Sequence, residues 1–207
     1  MSNEGDGMEY DPELDGIEVG CVLRGEWLVI GKLGEGAFGE VWRVESKEFK
    51  HRAMKIVKTK ESHNEIWALK KLVKSRYVPT IHAQWQFGNQ TTLVMSLGIG
   101  DLKHYREANG SGEFKPRTSM IVTWHVLHAL QYLHSQGVVH RDMKEDNICI
   151  KYRPSDRIAP ILLIDYGHSE DISKAREVKE EDRTLRSSCY SSPHMTEGKQ
   201  STKGCDL

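Results

Sequence analysis

The sequence predicts an α+β fold in two lobes, an antiparallel sheet with one helix followed by a mainly helical lobe. Three observations predict it. Five short runs rich in Val, Ile and Trp follow one another between Trp27 and Leu97 with a single interruption, that interruption has helical spacing, and a long helical stripe follows further on.

The elements follow in order. Residues 1–20 carry Glu4, Asp6, Glu9, Asp11, Glu13, Asp15 and Glu18 without a Lys or Arg, and hold too few large apolar groups to offset ordering entropy, which predicts a flexible acidic leader. Residues 21–97 form the first lobe, with strands at Trp27 to Lys32, Glu40 to Val44, Ala53 to Val57, Ile81 to Phe87 and Thr91 to Leu97. In the fourth run Ile81, Ala83, Trp85 and Phe87 alternate with His82, Gln84 and Gln86, the period of a strand with one solvated face. The interruption, Glu61 to Lys74, repeats Ile66, Leu69 and Val73 at helical spacing with Leu72 beside them, so one helix is expected against the sheet. Residues 98–207 form the second lobe. Gly98-Ile99-Gly100 reads as a connection that bends as a hinge, and Asp101 as the N-cap of a short helix ending near Asn109 and Gly110. Thr118 to Ser135 places Val122, Val126, Ala129, Leu130 and Leu133 on a buried stripe, and Gly137 stops that helix. Two short apolar runs follow at Ile148 to Ile150 and Ile161 to Ile164, separated by polar residues.

Composition narrows the function. The formal net charge of -1 gives no summed attraction to phosphate backbones or anionic lipid, so neither nucleic acid nor membrane is an expected partner. The nearest basic cluster, Lys47, Lys50, His51 and Arg52, reads as a solvated hairpin connection. Cys21, Cys149, Cys189 and Cys205 stand far apart with no C-x-x-C pair, which argues against a zinc site and a disulfide framework. The N-terminus has no basic region followed by an apolar one, and no run approaches the roughly 20 apolar residues of a bilayer span. Cytoplasm or nucleus is the expected location, and a monomer the default state.

Four motifs carry chemistry. Gly34-Glu35-Gly36-Ala37-Phe38-Gly39-Glu40-Val41 lies between two strands, where glycines let backbone amides approach phosphate oxygens. A dinucleotide fold uses the same spacing, but there the loop opens a helix, whereas Glu40 to Val44 reads as a strand; a purely structural glycine turn stays open for this motif alone. Lys55, in the third strand, could reach phosphates held under that loop, with Glu65 on the following helix as its partner and Glu61, one turn away, as the rival. Val139-His140-Arg141-Asp142-Met143-Lys144-Glu145-Asp146-Asn147 lies in the loop after the long helix. There Asp142 would accept or orient the proton of an attacking hydroxyl, Lys144 would neutralise charge on a phosphoryl group, and Asn147 would offer an amide oxygen to magnesium. Asp165-Tyr166-Gly167 follows Ile161 to Ile164, so a carboxylate stands at a strand end where it can bind Mg²⁺.

In this order and spacing the four motifs resemble the eukaryotic protein kinase family, over about Trp27 to Leu207. Lys144 two places after Asp142 is similar to the serine/threonine branch. The Glu65-to-Pro79 interval, Met95-Ser96-Leu97-Gly98 and the tail from Gly198 resemble the casein kinase 1 group, which includes the tau-tubulin and vaccinia-related kinases; Tyr166 in place of the usual Phe resembles the vaccinia-related members. The resemblance implies ATP and Mg²⁺ as cofactors and a protein hydroxyl as substrate. It also implies nucleotide contacts from Leu33, Gly34, Glu35, Gly36, Ala37, Phe38, Gly39, Val41, Ala53, Lys55, Glu65, Met95 and Leu97, metal ligands at Asn147 and Asp165, and catalytic roles for Asp142 and Lys144.

Two departures stand out. Tyr190 to His194 has His194 where most kinases have Glu, a Glu that the casein kinase 1 group also lacks, and Leu185 to Cys189 lacks the Gly-Thr that shapes the peptide-binding loop in such kinases. Thr184, Ser187 and Ser188 lie near Arg183 and Arg186, where an added phosphate could pair with Arg141. By the resemblance, Asp206-Leu207 opens a central helix whose Asp holds the catalytic loop, and the second lobe is incomplete, which predicts exposed apolar surface and a chain that is poorly soluble or inactive. The expected function is an ATP-dependent protein serine/threonine kinase; the alternative is a truncated or pseudokinase scaffold that binds nucleotide without catalysis.

Overall fold

In the computed structural model the described residues are 14, 16–36, 39–151, 160–173 and 206. They fall into two compact units, Met1–His63 with Thr80–Leu97 and Asn64–Pro79 with Gly98–Leu207.

The first unit is built on a six-stranded antiparallel sheet: β1 (Val22–Leu23), β2 (Trp27–Gly36), β3 (Gly39–Glu45), β4 (Arg52–Lys58), β5 (Ile81–Phe87) and β6 (Gln90–Ser96). The strand order is β1-β2-β3-β4-β6-β5. Alternation sends one set of side chains into a shared core: Trp27 and Val29 from β2, Trp42 and Val44 from β3, Met54 and Ile56 from β4 and Val94 from β6, with Leu23. Ala83 and Trp85 of β5 pack against that core as expected but stay half-buried, because β5 is an edge strand. The sequence reading foresaw five strands. The sixth, β1, is two residues long and owes its existence to a tight return through Arg24 (φ 52) and Gly25 (φ 64) onto β2.

Helix α1 (Thr59–Lys71) begins and ends earlier than the expected Glu61 to Lys74, and the division between the units runs inside it. Its start is fixed in the first unit by Thr59, whose N–H donates to Asn89 O at 2.8 Å and whose Oγ1 accepts from Thr91 Oγ1 at 3.1 Å. Ala68, Leu69 and Leu72 are buried. Val73, expected on the same stripe, lies past the last turn and is 63% exposed.

The second unit holds α2 (Leu102–Ala108) and α3 (Pro116–Ser135), a three-stranded sheet in the order β10-β9-β7, and the pair β8–β11. The strands are β7 (Gly98–Asp101), β8 (Val138–Val139), β9 (Ile148–Lys151), β10 (Ile161–Leu163) and β11 (Glu170–Asp171). The stretch expected to bend as a hinge is β7, paired with β9. Glycine makes that pairing possible, since a Cβ on Gly98 would fall 2.5 Å from Cys149 Cβ. Asp101 caps α2 as foreseen, its Oδ1 accepting the His104 N–H at 2.7 Å. Helix α3 starts at Pro116, a residue preorganised for the first helical position, and ends against Gly137 at φ 72. It packs on β8 and β10. Ala129, Leu130 and Leu133 of its expected stripe are buried, whereas Val122 and Val126 are half-covered.

Candidate active site

The expected site residues are divided between the two units, the glycine motif, Lys55 and the strand contacts in the first, and Glu65, Asp142, Lys144, Asn147 and Asp165 in the second. In the first, β2 and β3 form a hairpin in which Gly34 faces Val41, Glu35 faces Glu40 and Gly36 faces Gly39. Ala37 and Phe38, between Gly36 and Gly39 in the sequence, lie outside the described residues. The glycines do different work. Gly39 has φ 131, and a Cβ there would stand 1.9 Å from Ile56 O, so only glycine fits; Gly34 and Gly36 open on free space, where a ligand oxygen could meet the backbone. Lys32 ties the flanks together, donating to Glu35 Oε2 at 2.7 Å and Glu40 Oε1 at 2.8 Å. The Lys32 hydrogen bond holds the Glu40 carboxyl below its ordinary pKa despite some burial.

The register gathers most of the other expected contacts. Val41 faces Lys55, Lys55 faces Leu93, and Ala53 faces Met95 across neighbouring strands. Directly opposed residues share a sheet face, so Val41, Ala53, Lys55 and Met95 line one side while Trp42, Met54 and Val94 face the core on the other. Leu33, 49% exposed, lies beside the glycines in β2, and half-buried Leu97 follows the end of β6. Glu61, the rival partner for Lys55, forms no ion pair among the described residues, and its Oε2 is buried without a hydrogen bond. Glu65 is 3% exposed in the second unit.

In that second unit the loop from His140 to Asn147 joins β8 to β9 and is pinned by a buried carboxylate. Asp206 accepts the backbone N–H of His140 at 2.9 Å and of Arg141 at 2.7 Å, while His134 Nε2 lies 2.8 Å from its Oδ2. These bonds hold Arg141 in the left-handed region at φ 69. His140 is fully buried; its Nε2–H donates to Ile164 O at 3.0 Å, so its Nδ1 can accept the Asp142 N–H at 3.3 Å.

Asp142 sits at the focus. Lys144 Nζ and Asn147 Nδ2 each donate to its Oδ2 at 2.8 Å, and Asn147 Nδ2 also donates to the Asp142 carbonyl at 2.8 Å. With its NH₂ group committed there, Asn147 keeps its amide oxygen for another electropositive partner. The Ile164 N–H donates to Asn147 O at 2.9 Å, which brings the start of the Asp165-Tyr166-Gly167 segment to the same loop. Asp165 is left-handed, at φ 64 and ψ 72. An amide oxygen and a carboxylate are hard oxygen donors of the type Mg²⁺ takes, so Asn147 and Asp165 fit that ion in kind. The next ring, Tyr166, is fully buried with its centroid 4.8 Å from that of His140. Burial first, then the Asp206 and Glu65 carboxylates, push the Tyr166 phenol well above its ordinary pKa.

The sequence reading missed the contribution of α2. Arg106 Nε lies 2.8 Å from Glu145 Oε2 and Lys103 Nζ 3.2 Å from Asp146 Oδ1, so two cations one helical turn apart grip the loop beside Asn147. The available signal was that spacing on α2 set against Glu145 and Asp146. The Thr184, Ser187 and Ser188 cluster and Tyr190 to His194 lie outside the described residues.

Comparison with known proteins identifies the family. The family described as protein kinase domain matches residues 27–207. A putative casein kinase I of Caenorhabditis elegans is 30% identical over 162 residues, covering 73% of this chain and 46% of the relative. A probable serine/threonine-protein kinase of Dictyostelium discoideum is 29% identical over 73% of this chain and 32% of its own length; human serine/threonine-protein kinase H2 is 26% identical over 84% and 46%. The chain therefore spans less than half the length of these relatives. With a family match over most of its length, on strands and loops that carry the motifs in the expected order, the chain belongs to the protein kinase domain family.

Proposed function

We propose that this chain is the nucleotide-binding and catalytic part of a protein serine/threonine kinase that transfers the γ-phosphoryl group of ATP to a protein hydroxyl. The observation that carries the reading is the Asp142 carboxylate held at 2.8 Å by both Lys144 and Asn147. So placed, Asp142 is fixed in direction and ready to take the proton of an incoming hydroxyl as the new O–P bond forms and the bond to the departing ADP oxygen breaks. Lys144 lies where it can offset charge on the moving phosphoryl group. The amides of Gly34 and Gly36 and the Lys55 ammonium would hold phosphate oxygens, while Val41, Ala53 and Met95 give an apolar face for the base. Mg²⁺ would be held by Asn147 and Asp165, and when bound it neutralises phosphate charge.

Within the family, the finer reading is the casein kinase 1 group. It is supported by the putative casein kinase I relative and by the Met95 to Gly98 and Tyr166 likenesses.

Phosphotransfer to protein and peptide substrates by the full-length protein tests the function. Asp142→Asn is expected to lower kcat by about 100-fold or more with KM for ATP within about threefold of wild type. Lys55→Met combined with Asp165→Asn is expected to abolish binding of a fluorescent magnesium–nucleotide probe. Phosphotransfer that survives Asp142→Asn would overturn the kinase mechanism, and nucleotide binding without turnover in the wild type would favour the scaffold reading.

A further inference from the structure

Arg141 is an awkwardly placed charge among the described residues of the second unit. Its side chain is only 7% exposed, its backbone is left-handed, and its Nε and Nη2 are buried without hydrogen-bond partners. Among the described residues one anion faces it: Glu170 of β11, whose Oε2 lies 2.8 Å from Arg141 Nη1. Glu170 is itself placed by backbone pairing, since β11 lies antiparallel to β8 with Glu170 opposite Val139, two residues before Arg141. The same short strand is moored a second time, through Asp171 to Lys71 at 3.1 Å. A carboxylate thus reaches Arg141 from the segment that follows Asp165-Tyr166-Gly167, and it is carried on a strand fixed to the strand that opens the catalytic loop.

An almost buried guanidinium that loses its counter-ion must either stay uncompensated or swing out toward water. Arg141 cannot swing without disturbing its neighbours. Its own N–H is bound to Asp206, and the next residue is Asp142. Phosphorylation supplies such a counter-ion in many switches, by placing a doubly charged group against an arginine. Here the chain supplies a carboxylate of its own at salt-bridge distance.

We propose that Glu170 is a positioning residue, a built-in counter-ion that keeps Arg141, and through it the Asp142 loop, in working shape without any phosphate on the chain. This rests on the kinase reading given above. It differs from the reading of the sequence in which a phosphate on Thr184, Ser187 or Ser188 could pair with Arg141.

The test uses full-length protein. Phosphatase-treated wild type is expected to keep its kcat within about twofold, while Glu170→Gln lowers kcat by about tenfold with KM for ATP changed by less than about twofold. Glu170→Asp, which keeps the charge on a shorter arm, is expected to recover part of the loss. Should Glu170→Gln fold poorly, the double variant Arg141→Gln/Glu170→Gln, which removes both charges together, is expected to melt closer to wild type than the single one. A simple packing role would lower the melting temperature and leave kcat per folded molecule unchanged, and that result overturns the proposal. So does a phosphatase-treated wild type that loses tenfold or more of its kcat. If the wild type transfers no phosphoryl group at all, the kinase reading fails by itself. Amide hydrogen exchange then decides: faster exchange at His140, Arg141 and Asp142 in Glu170→Gln supports the counter-ion role, and equal rates overturn it.

Discussion

Asp206 concentrates more structural consequence than its exposure suggests. Its side chain is fully buried and accepts two backbone N–H groups from the loop, with His134 at the third contact. Hydrogen bonds to a charged acceptor contribute about 1.5–3 kcal/mol each, and removing the acceptor strands both amides in a water-poor place. Asp206→Ala is therefore expected to destabilise the protein by about 3 kcal/mol or more. Asp206→Asn keeps one acceptor oxygen but turns an N–H₂ toward another donor, and an intermediate loss is expected. Urea unfolding of the two variants checks this, and an unchanged midpoint in Asp206→Ala would show that the carboxylate does not hold these amides. The Asp was foreseen from the family resemblance. Its partner His134 was not, because no helical period in the sequence tells which histidine of α3 faces a residue 72 positions away.

Secondary elements were legible where side chains set the pattern and illegible where a partner strand did. The Trp27, Val29, Trp42, Val44 and Met54 alternation gives β2, β3 and β4 directly; β1, β8 and β11 are two residues each and exist only through pairing. The glycine motif shows the same limit. Its spacing treats three glycines alike, whereas the hairpin separates them: Gly39→Ala is expected to cost about 2 kcal/mol or more, since it combines a strained φ of 131 with a clash on Ile56 O. Gly34→Ala, opening on free space, is expected to change stability by no more than about 1 kcal/mol while weakening nucleotide binding. Thermal melts with and without nucleotide separate the two cases. At β11 the prediction concerns pH. Hydrogen bonds from the Ser173 hydroxyl and backbone N–H, followed by Lys71, hold the Asp171 carboxyl down at about 2. A carboxylate near 4 when unfolded and near 2 when folded adds stability that is fully present above pH 4 and lost as pH falls toward 2, amounting to at most about 2 kcal/mol. Asp171→Asn is expected to flatten that part of the acid unfolding curve, and an unaltered slope between pH 4 and 2 would count against the anchoring of β11.

For the molecule as a whole, the sequence disclosed the two kinds of architecture and the order of the motifs along the chain, because motif order survives any packing detail. Surface was harder. Of the stripe expected on α3, only Ala129, Leu130 and Leu133 are buried, with His125 beside them, where the helix lies on β8 and β10. On its other side Met120 is 73% exposed, Ile121 49%, Trp124 53% and Leu127 49%. Positions three and four apart share a helical face, so these four side chains make one apolar strip rather than scattered contacts with water. Trp124 also packs against His128 on the same face, with ring centroids 3.9 Å apart and the rings tilted by 38°. The 207-residue chain is accordingly expected to self-associate through this strip. Replacing Ile121, Trp124 and Leu127 with Gln should raise the concentration at which light scattering begins while leaving the urea midpoint within about 1 kcal/mol of wild type, because none of the three is buried. A triple variant that scatters at the same concentration would locate the association elsewhere, and one that unfolds early would show these residues to be core.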